Sequence, residues 1–229
     1  MSDFARDAER LRSAKVALRS QLLTARRSLP EAVRRAADRS VQASTVAWLR
    51  AAQPTLCAAY VPVGTEPGGP DLPDILAGHA NPPDAPTGRS ALHQVRSDAP
   101  APAGAPPGAC TLLLPVLLPD GDLDWAPHDG TLRRSPRGLL QPTGRTLGTS
   151  AISRADVIIV PAVAVSRTGT RLGRGGGSYD RALARASSAF VIALLHDGEL
   201  LDEVPAEPHD RPVNAVVTPS DGLVVLNPR

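Results

Sequence analysis

The first fifty residues carry apolar positions at helical spacing. Leu11, Leu18, Leu22 and Leu29 fall on one stripe, with charged and small polar residues between them. Pro30 and Glu31 stop this pattern and open a second helix that runs toward Trp48 and Leu49. The period then changes. Residues 55–63 (TLCAAYVPV) form a short, continuous apolar run that predicts a strand, closed by the turn residues GTEPGG. A helical turn is expected over 71–76. Residues 79–109 are Pro, Ala, Gly and Asp with little periodicity and predict an irregular surface insert. A strand follows over 111–118, then a loop leads through Trp125 to GLLQPTG at 138–144.

The last third is the most regular. DVIIVPAVAV (156–165) predicts one buried strand, SYDRALARA (178–186) a helix, FVIALLHD (190–197) a strand and NAVVTP (214–219) a final one. No internal repeat is visible. Apolar strands alternating with helices predict an α/β fold with a mostly parallel central sheet and helices on both faces, in a single domain over 1–229.

Composition adds exclusions. A chain of 229 residues can bury a full core. The N-terminus is charged from Asp3 onward, unlike a secretory signal. The longest apolar runs, 157–165 and 111–119, are interrupted by proline and fall far below the roughly 20 residues of a membrane span. Cys57 and Cys110 have no metal-binding or disulfide-framework spacing. A soluble cytoplasmic monomer is expected, with no membrane partner. A net charge of +2 gives no pull toward nucleic acid. Lys15 is the only lysine, and all other basic residues are arginine; with 24 prolines and much alanine this suggests a GC-rich genome rather than an RNA-binding role.

The candidate chemistry sits in RLGRGGGSYD (171–180), with four glycines between Gly173 and Gly177. A Walker loop needs a Gly-Lys-Ser/Thr step, which is absent. A dinucleotide turn fits Gly173 and Gly175 but meets Ser178 where a third glycine belongs, although Asp197 lies about 20 residues on, as that motif requires. A flexible solvent loop explains the glycines but not the polar set Arg171, Arg174, Tyr179, Asp180 and Arg181. Backbone N–H groups in glycine conformations, with arginines beside them and a helix starting after them, suit phosphate oxygens.

The same stretch, with the strand before it, closely resembles the signature of the 5-formyltetrahydrofolate cyclo-ligase family: a strand ending VPG or VPA, then RLG-x-G-x-GYYD. KVALR (15–19) resembles the family's K-x-x-LR, and YVPVGTE (60–66) its strand-then-glutamate segment. GLLQP resembles its G-x-x-EP turn, and VPAEPHDRPVNAVVTP (204–219) its C-terminal motif. Ser178, Gln141 and Asn214 depart from the usual Tyr, Glu and Asp, and the insert at 79–109 has no family counterpart.

The resemblance implies conversion of 5-formyltetrahydrofolate to 5,10-methenyltetrahydrofolate with ATP as co-substrate and Mg²⁺, releasing ADP and phosphate. Phosphorylation of the formyl oxygen would precede ring closure. It implies ATP contacts at Lys15, Val16, Ala17, Leu18 and Arg19, and at Arg171, Leu172, Gly173, Arg174, Gly175, Gly176, Gly177, Ser178 and Tyr179. Folate contacts are implied at Val61, Glu66, Arg174, Gly175, Gly176, Gly177 and Ser178. Asp180 and Asp210 are implied for Mg²⁺, and Lys15, Arg171 and Tyr179 for catalysis. Plainer roles exist for several: a snorkelling surface charge for Lys15, a loop carboxylate for Glu66, a core strand residue for Val61 and a first-turn helix charge for Asp180. His209 is expected to be a loop histidine, since Mg²⁺ prefers oxygen. A non-catalytic folate-binding relative and a nicotinamide-dependent enzyme are the alternatives.

Overall fold

The computed structural model describes residues 3–80, 110–207 and 210–226. The first half contains α1 (Asp3–Ser28), α2 (Glu31–Ala52), β1 (Leu56–Ala58), α3 (Leu72–Ala80), β2 (Thr111–Leu117), β3 (Leu123–Pro127), β4 (Leu132–Arg134) and β5 (Leu140–Pro142). After a 3-10 turn (Thr149–Arg154) come β6 (Val157–Pro161), β7 (Ala164–Ser166), β8 (Arg171–Leu172), α4 (Ser178–Ala184), β9 (Phe190–Leu194), β10 (Leu200–Leu201), β11 (Ala215–Thr218) and β12 (Gly222–Val225). The helices and main strands fall where periodicity puts them. The predicted insert lies almost wholly outside the described residues, as does His209, whereas His79 and Ala80 complete α3.

The large sheet has the order β12-β11-β9-β6-β1-β2-β3. Its four inner pairings are parallel, and the β11–β12 and β2–β3 pairings at the edges are antiparallel. Successive residues of β6 point to opposite faces. Val157 and Ile159 join Val41 and Leu49 of α2 and Leu72 and Leu76 of α3, while Ile158 and Val160 join Trp125, Ile152 and Leu183 of α4. Both faces are covered, which is why the strands read as unbroken apolar runs.

Three expectations need correction. DVIIVPAVAV is two strands: β6 ends at Pro161 in the large sheet, and β7 belongs to a second sheet of order β10-β7-β8. Both halves are buried, so apolarity alone cannot reveal the change of sheet. The first strand is only Leu56–Ala58; beyond Ala59 the chain leaves the ladder, and the Tyr60 hydroxyl donates to Pro67 O at 2.5 Å. The segment around Trp125 is not a loop, because β3 pairs with β2 there and β4 with β5 beyond. β12 was not legible either.

Helix α1 packs away from the large sheet. Its stripe of Leu18, Leu22 and Leu23 meets Val163, Ala164, Leu172 and Val204 around the small sheet. Arg26, 1% exposed, closes the far end of that stripe with a two-point pair to Glu199 (2.6 and 2.8 Å) and a bond to Ala162 O.

Candidate active site

The carboxyl ends of β1, β2 and β6 open into a cavity of about 280 Å³. Its walls come from Tyr60, Val61, Val63 and Glu66 after β1, Pro115 and Leu117 of β2, Leu123 of β3, and residues 139–141 around β5. The glycine loop and Tyr179 complete them. Crevices beyond the carboxyl ends of parallel strands are the usual ligand sites of such sheets.

The glycine loop leaves β8 of the small sheet and bends along the cavity mouth. Gly177, the residue before α4, has φ +67°, a conformation disfavoured for residues with a Cβ. At Gly173 the constraint is space: a Cβ would lie 2.7 Å from Arg171 Nη1. Among the described residues, the N–H groups of Gly175, Gly176 and Gly177 donate to no protein acceptor. Ser178 Oγ donates to Gly121 O, tying the loop to the β2–β3 turn, so the serine has a structural partner of its own.

The cations around this loop are already paired. Arg171, 5% exposed, donates to Asp180 Oδ1 at 2.5 Å and Pro161 O at 3.2 Å, while its Nε is buried with no partner among the described residues. Arg174 pairs through Nε with Glu66 Oε1 at 2.8 Å and donates to Val63 O. Lys15 Nζ lies 2.8 Å from Glu207 Oε2 and 2.6 Å from Asp210 Oδ2. One turn along α1, Arg19 Nε donates to Gly173 O at 2.8 Å, so the helix is tied directly to the glycine loop.

These contacts shift ionisation in different directions. Burial raises the Glu66 carboxyl above its ordinary 4.5, with Arg174 and the Val63 N–H only partly opposing it. Burial works against the Lys15 ammonium, but hydrogen bonds to Asp210 and Glu207 outweigh it and raise its pKa. Desolvation and the nearby Glu66 charge push the hydroxyl of the partly buried Tyr179 well above its usual range, so it stays protonated.

Of the residues singled out from sequence, Val61, Glu66, Arg171, Gly173–Gly177, Ser178, Tyr179 and Asp180 line one cavity. Lys15 and Asp210 are not among its lining residues; they meet as an ion pair one turn of α1 from Arg19, with Asp180 paired separately to Arg171. Val16 and Ala17 are exposed on the outer side of α1, and Leu18 and Leu172 are core residues of the small sheet. Glu207, Tyr60 and Gln141 were not anticipated as site residues. Gln141 and Glu207 lie inside the quoted motifs GLLQP and VPAEPHD, so their segments were visible but their places were not. Asp197, which a dinucleotide site would use on a ribose, instead caps the Ser220 N–H and hydroxyl.

Uncommitted backbone N–H groups, flanking cations and an apolar cavity with one buried carboxylate define an α/β protein that binds small molecules. Comparison with known proteins narrows this class. The sequence model of the 5-formyltetrahydrofolate cyclo-ligase family matches residues 108–219. A 5-formyltetrahydrofolate cyclo-ligase of Mycolicibacterium smegmatis is 43% identical over 211 residues, covering 91% of this chain and 95% of that one. The cyclo-ligase of Escherichia coli is 45% identical over 71 residues, 30% of this chain and 39% of its own. Among solved structures, the 5,10-methenyltetrahydrofolate synthetase of Aquifex aeolicus shares the fold with a TM-score of 0.66 at 21% identity, covering 94% of both chains. The chain belongs to the 5-formyltetrahydrofolate cyclo-ligase family. Among the described residues, no helix is long and apolar enough to cross a membrane.

Proposed function

We propose that this protein, acting as one domain in the cytoplasm, uses ATP and Mg²⁺ to convert 5-formyltetrahydrofolate to 5,10-methenyltetrahydrofolate, releasing ADP and phosphate. The observation that carries the reading is the junction of two unlike half-sites. An apolar cavity with a buried carboxylate, Glu66, opens directly onto a loop of unpaired N–H groups flanked by Arg171 and Arg174.

In this reading the folate ring occupies the cavity against Val61, and Glu66 accepts from its N–H groups. The glycine loop holds phosphate oxygens through its N–H groups, with the orphaned Arg171 Nε as a further donor. Lys15, Arg171 and Arg174 each face a carboxylate beforehand, so the charges are in position and exchange partners when phosphates arrive.

The donor set also fits Mg²⁺. Asp180, which lines the cavity, and Asp210, which meets Lys15, would supply hard carboxylate oxygens. That suits an ion that keeps its waters and is held by one or two carboxylates plus substrate phosphates. When bound, it supplies further neutralisation of phosphate charge.

The γ-phosphoryl group passes from ATP to the formyl oxygen, leaving ADP. The neighbouring folate nitrogen then forms a bond to the formyl carbon and loses its proton to the departing phosphate, as the carbon–oxygen bond breaks and the oxygen leaves in that phosphate. The chain's share is alignment and charge neutralisation. Tyr179 remains a neutral hydroxyl throughout and acts as a hydrogen-bonding group, not a base. Release of ADP and phosphate only when 5-formyltetrahydrofolate is present, in equal amounts with product, tests the reading. ATP turnover without folate would contradict it.

A further inference from the structure

Among the described residues of the cavity wall, the one side-chain amide is left without a partner. Gln141 is the central residue of β5, 9% exposed, with its backbone locked in register with Arg133 of β4. Together with Leu139 and Leu140 it lines the cavity whose wall also holds Gly173–Gly177 of the glycine loop, Tyr60 and Val61. Its amide forms no hydrogen bond to any described residue. Four other polar side chains of the wall have partners among the described residues: Glu66 has Arg174, Asp180 has Arg171, Ser178 has Gly121 O and Tyr60 has Pro67 O.

The amide is not among the sealed-in unpartnered atoms of the interior, so a ligand entering the cavity can pair with it. It also offers what Glu66 cannot. A carboxylate only accepts, whereas an amide donates through Nε2 as well. A reduced folate presents N–H donors, which suit Glu66, and carbonyl oxygens, which need a donor. Resting on the cyclo-ligase reading, we propose that Gln141 is a further substrate-positioning residue, donating from Nε2 to a carbonyl oxygen of 5-formyltetrahydrofolate.

The test is equilibrium binding of 5-formyltetrahydrofolate, and separately of 5-methyltetrahydrofolate, to the full chain without ATP. Wild type is compared with Gln141→Met, which keeps the length, and Gln141→Glu, which keeps the shape but not the donor. A thermal melt of each variant reports folding. Met should weaken 5-formyltetrahydrofolate binding by roughly 10- to 100-fold, because a carbonyl is left unpaired in an apolar site. Glu should bind as weakly at pH 8 and recover relative to wild type as the pH falls toward 6, since a protonated carboxyl regains a donor. A purely structural glutamine would show no such recovery. Loss with both folates assigns the ring carbonyl; loss with the formyl compound alone assigns the formyl oxygen. Binding within twofold of wild type in the Met variant, or a Glu variant whose deficit is independent of pH, overturns the proposal. If Met fails to fold, the pH response of the Glu variant decides. Wild type that binds no folate would instead overturn the cyclo-ligase reading itself.

Discussion

Lys15 is the chain's only lysine, and its ammonium sits between Glu207 and Asp210 with 8% of the residue exposed. A snorkelling surface lysine would not be buried in this way. Lys15→Arg keeps the charge and the tie to both carboxylates, so the melting temperature should fall by no more than a few degrees. The broader planar guanidinium does not reproduce a point charge on a phosphate, and the KM for ATP should rise roughly 10- to 100-fold. Steady-state kinetics check this; normal ATP kinetics in the variant would make Lys15 a structural residue only. Glu66 gives the opposite separation. Its pKa is raised above 4.5, so the stability it contributes is present below about that pH and is lost as pH rises through the raised value. At pH 7 the buried charge burdens the fold. Glu66→Gln should therefore melt at the same temperature as wild type or higher at pH 7, with the difference closing toward pH 4.5, while folate binding weakens by about 10-fold or more. A marked drop in melting temperature at pH 7 would show instead that the Glu66–Arg174 pair holds the fold.

At the scale of elements, the helices and the inner strands were legible because each carries a clean period. The apolar stripe of α1 and the continuous runs of β6, β9 and β11 are direct consequences of what they pack against. What escaped was set by tertiary pairing. β3 has Asp124 and Pro127 among five residues and exists because β2 offers a partner; β8 and β10 are two residues each. The site was legible as motifs, yet its cavity was not, since Tyr60, Gln141 and Leu117 reach it from segments far apart in sequence. The tie of Arg19 to Gly173 O, 154 residues apart, was equally invisible. The insert prediction can now be drawn more sharply, because α3 runs through Ala80 and β2 begins at Thr111. Residues 81–109 are rich in Pro, Ala, Gly and Asp and carry little apolar periodicity with which to pack a core. Replacing 81–109 with a short Gly/Ser linker should leave turnover within a few-fold and the melting temperature within a few degrees. Loss of soluble expression would show that the segment belongs to the fold.

For the whole molecule, the seven-stranded sheet brings two half-sites to its carboxyl edge, one apolar with a single buried carboxylate and one lined with backbone donors and paired cations. Neither alone specifies a reaction. Their juncture, together with kinship over 91% of the chain to a cyclo-ligase, carries the account. The most direct test follows the near-ultraviolet absorbance of methenyltetrahydrofolate with purified protein and 5-formyltetrahydrofolate. The account predicts that absorbance rises only when ATP and Mg²⁺ are both present and stops on adding a chelator. A rise that persists without ATP or in the presence of chelator, or no rise under complete conditions with folate bound, would contradict it.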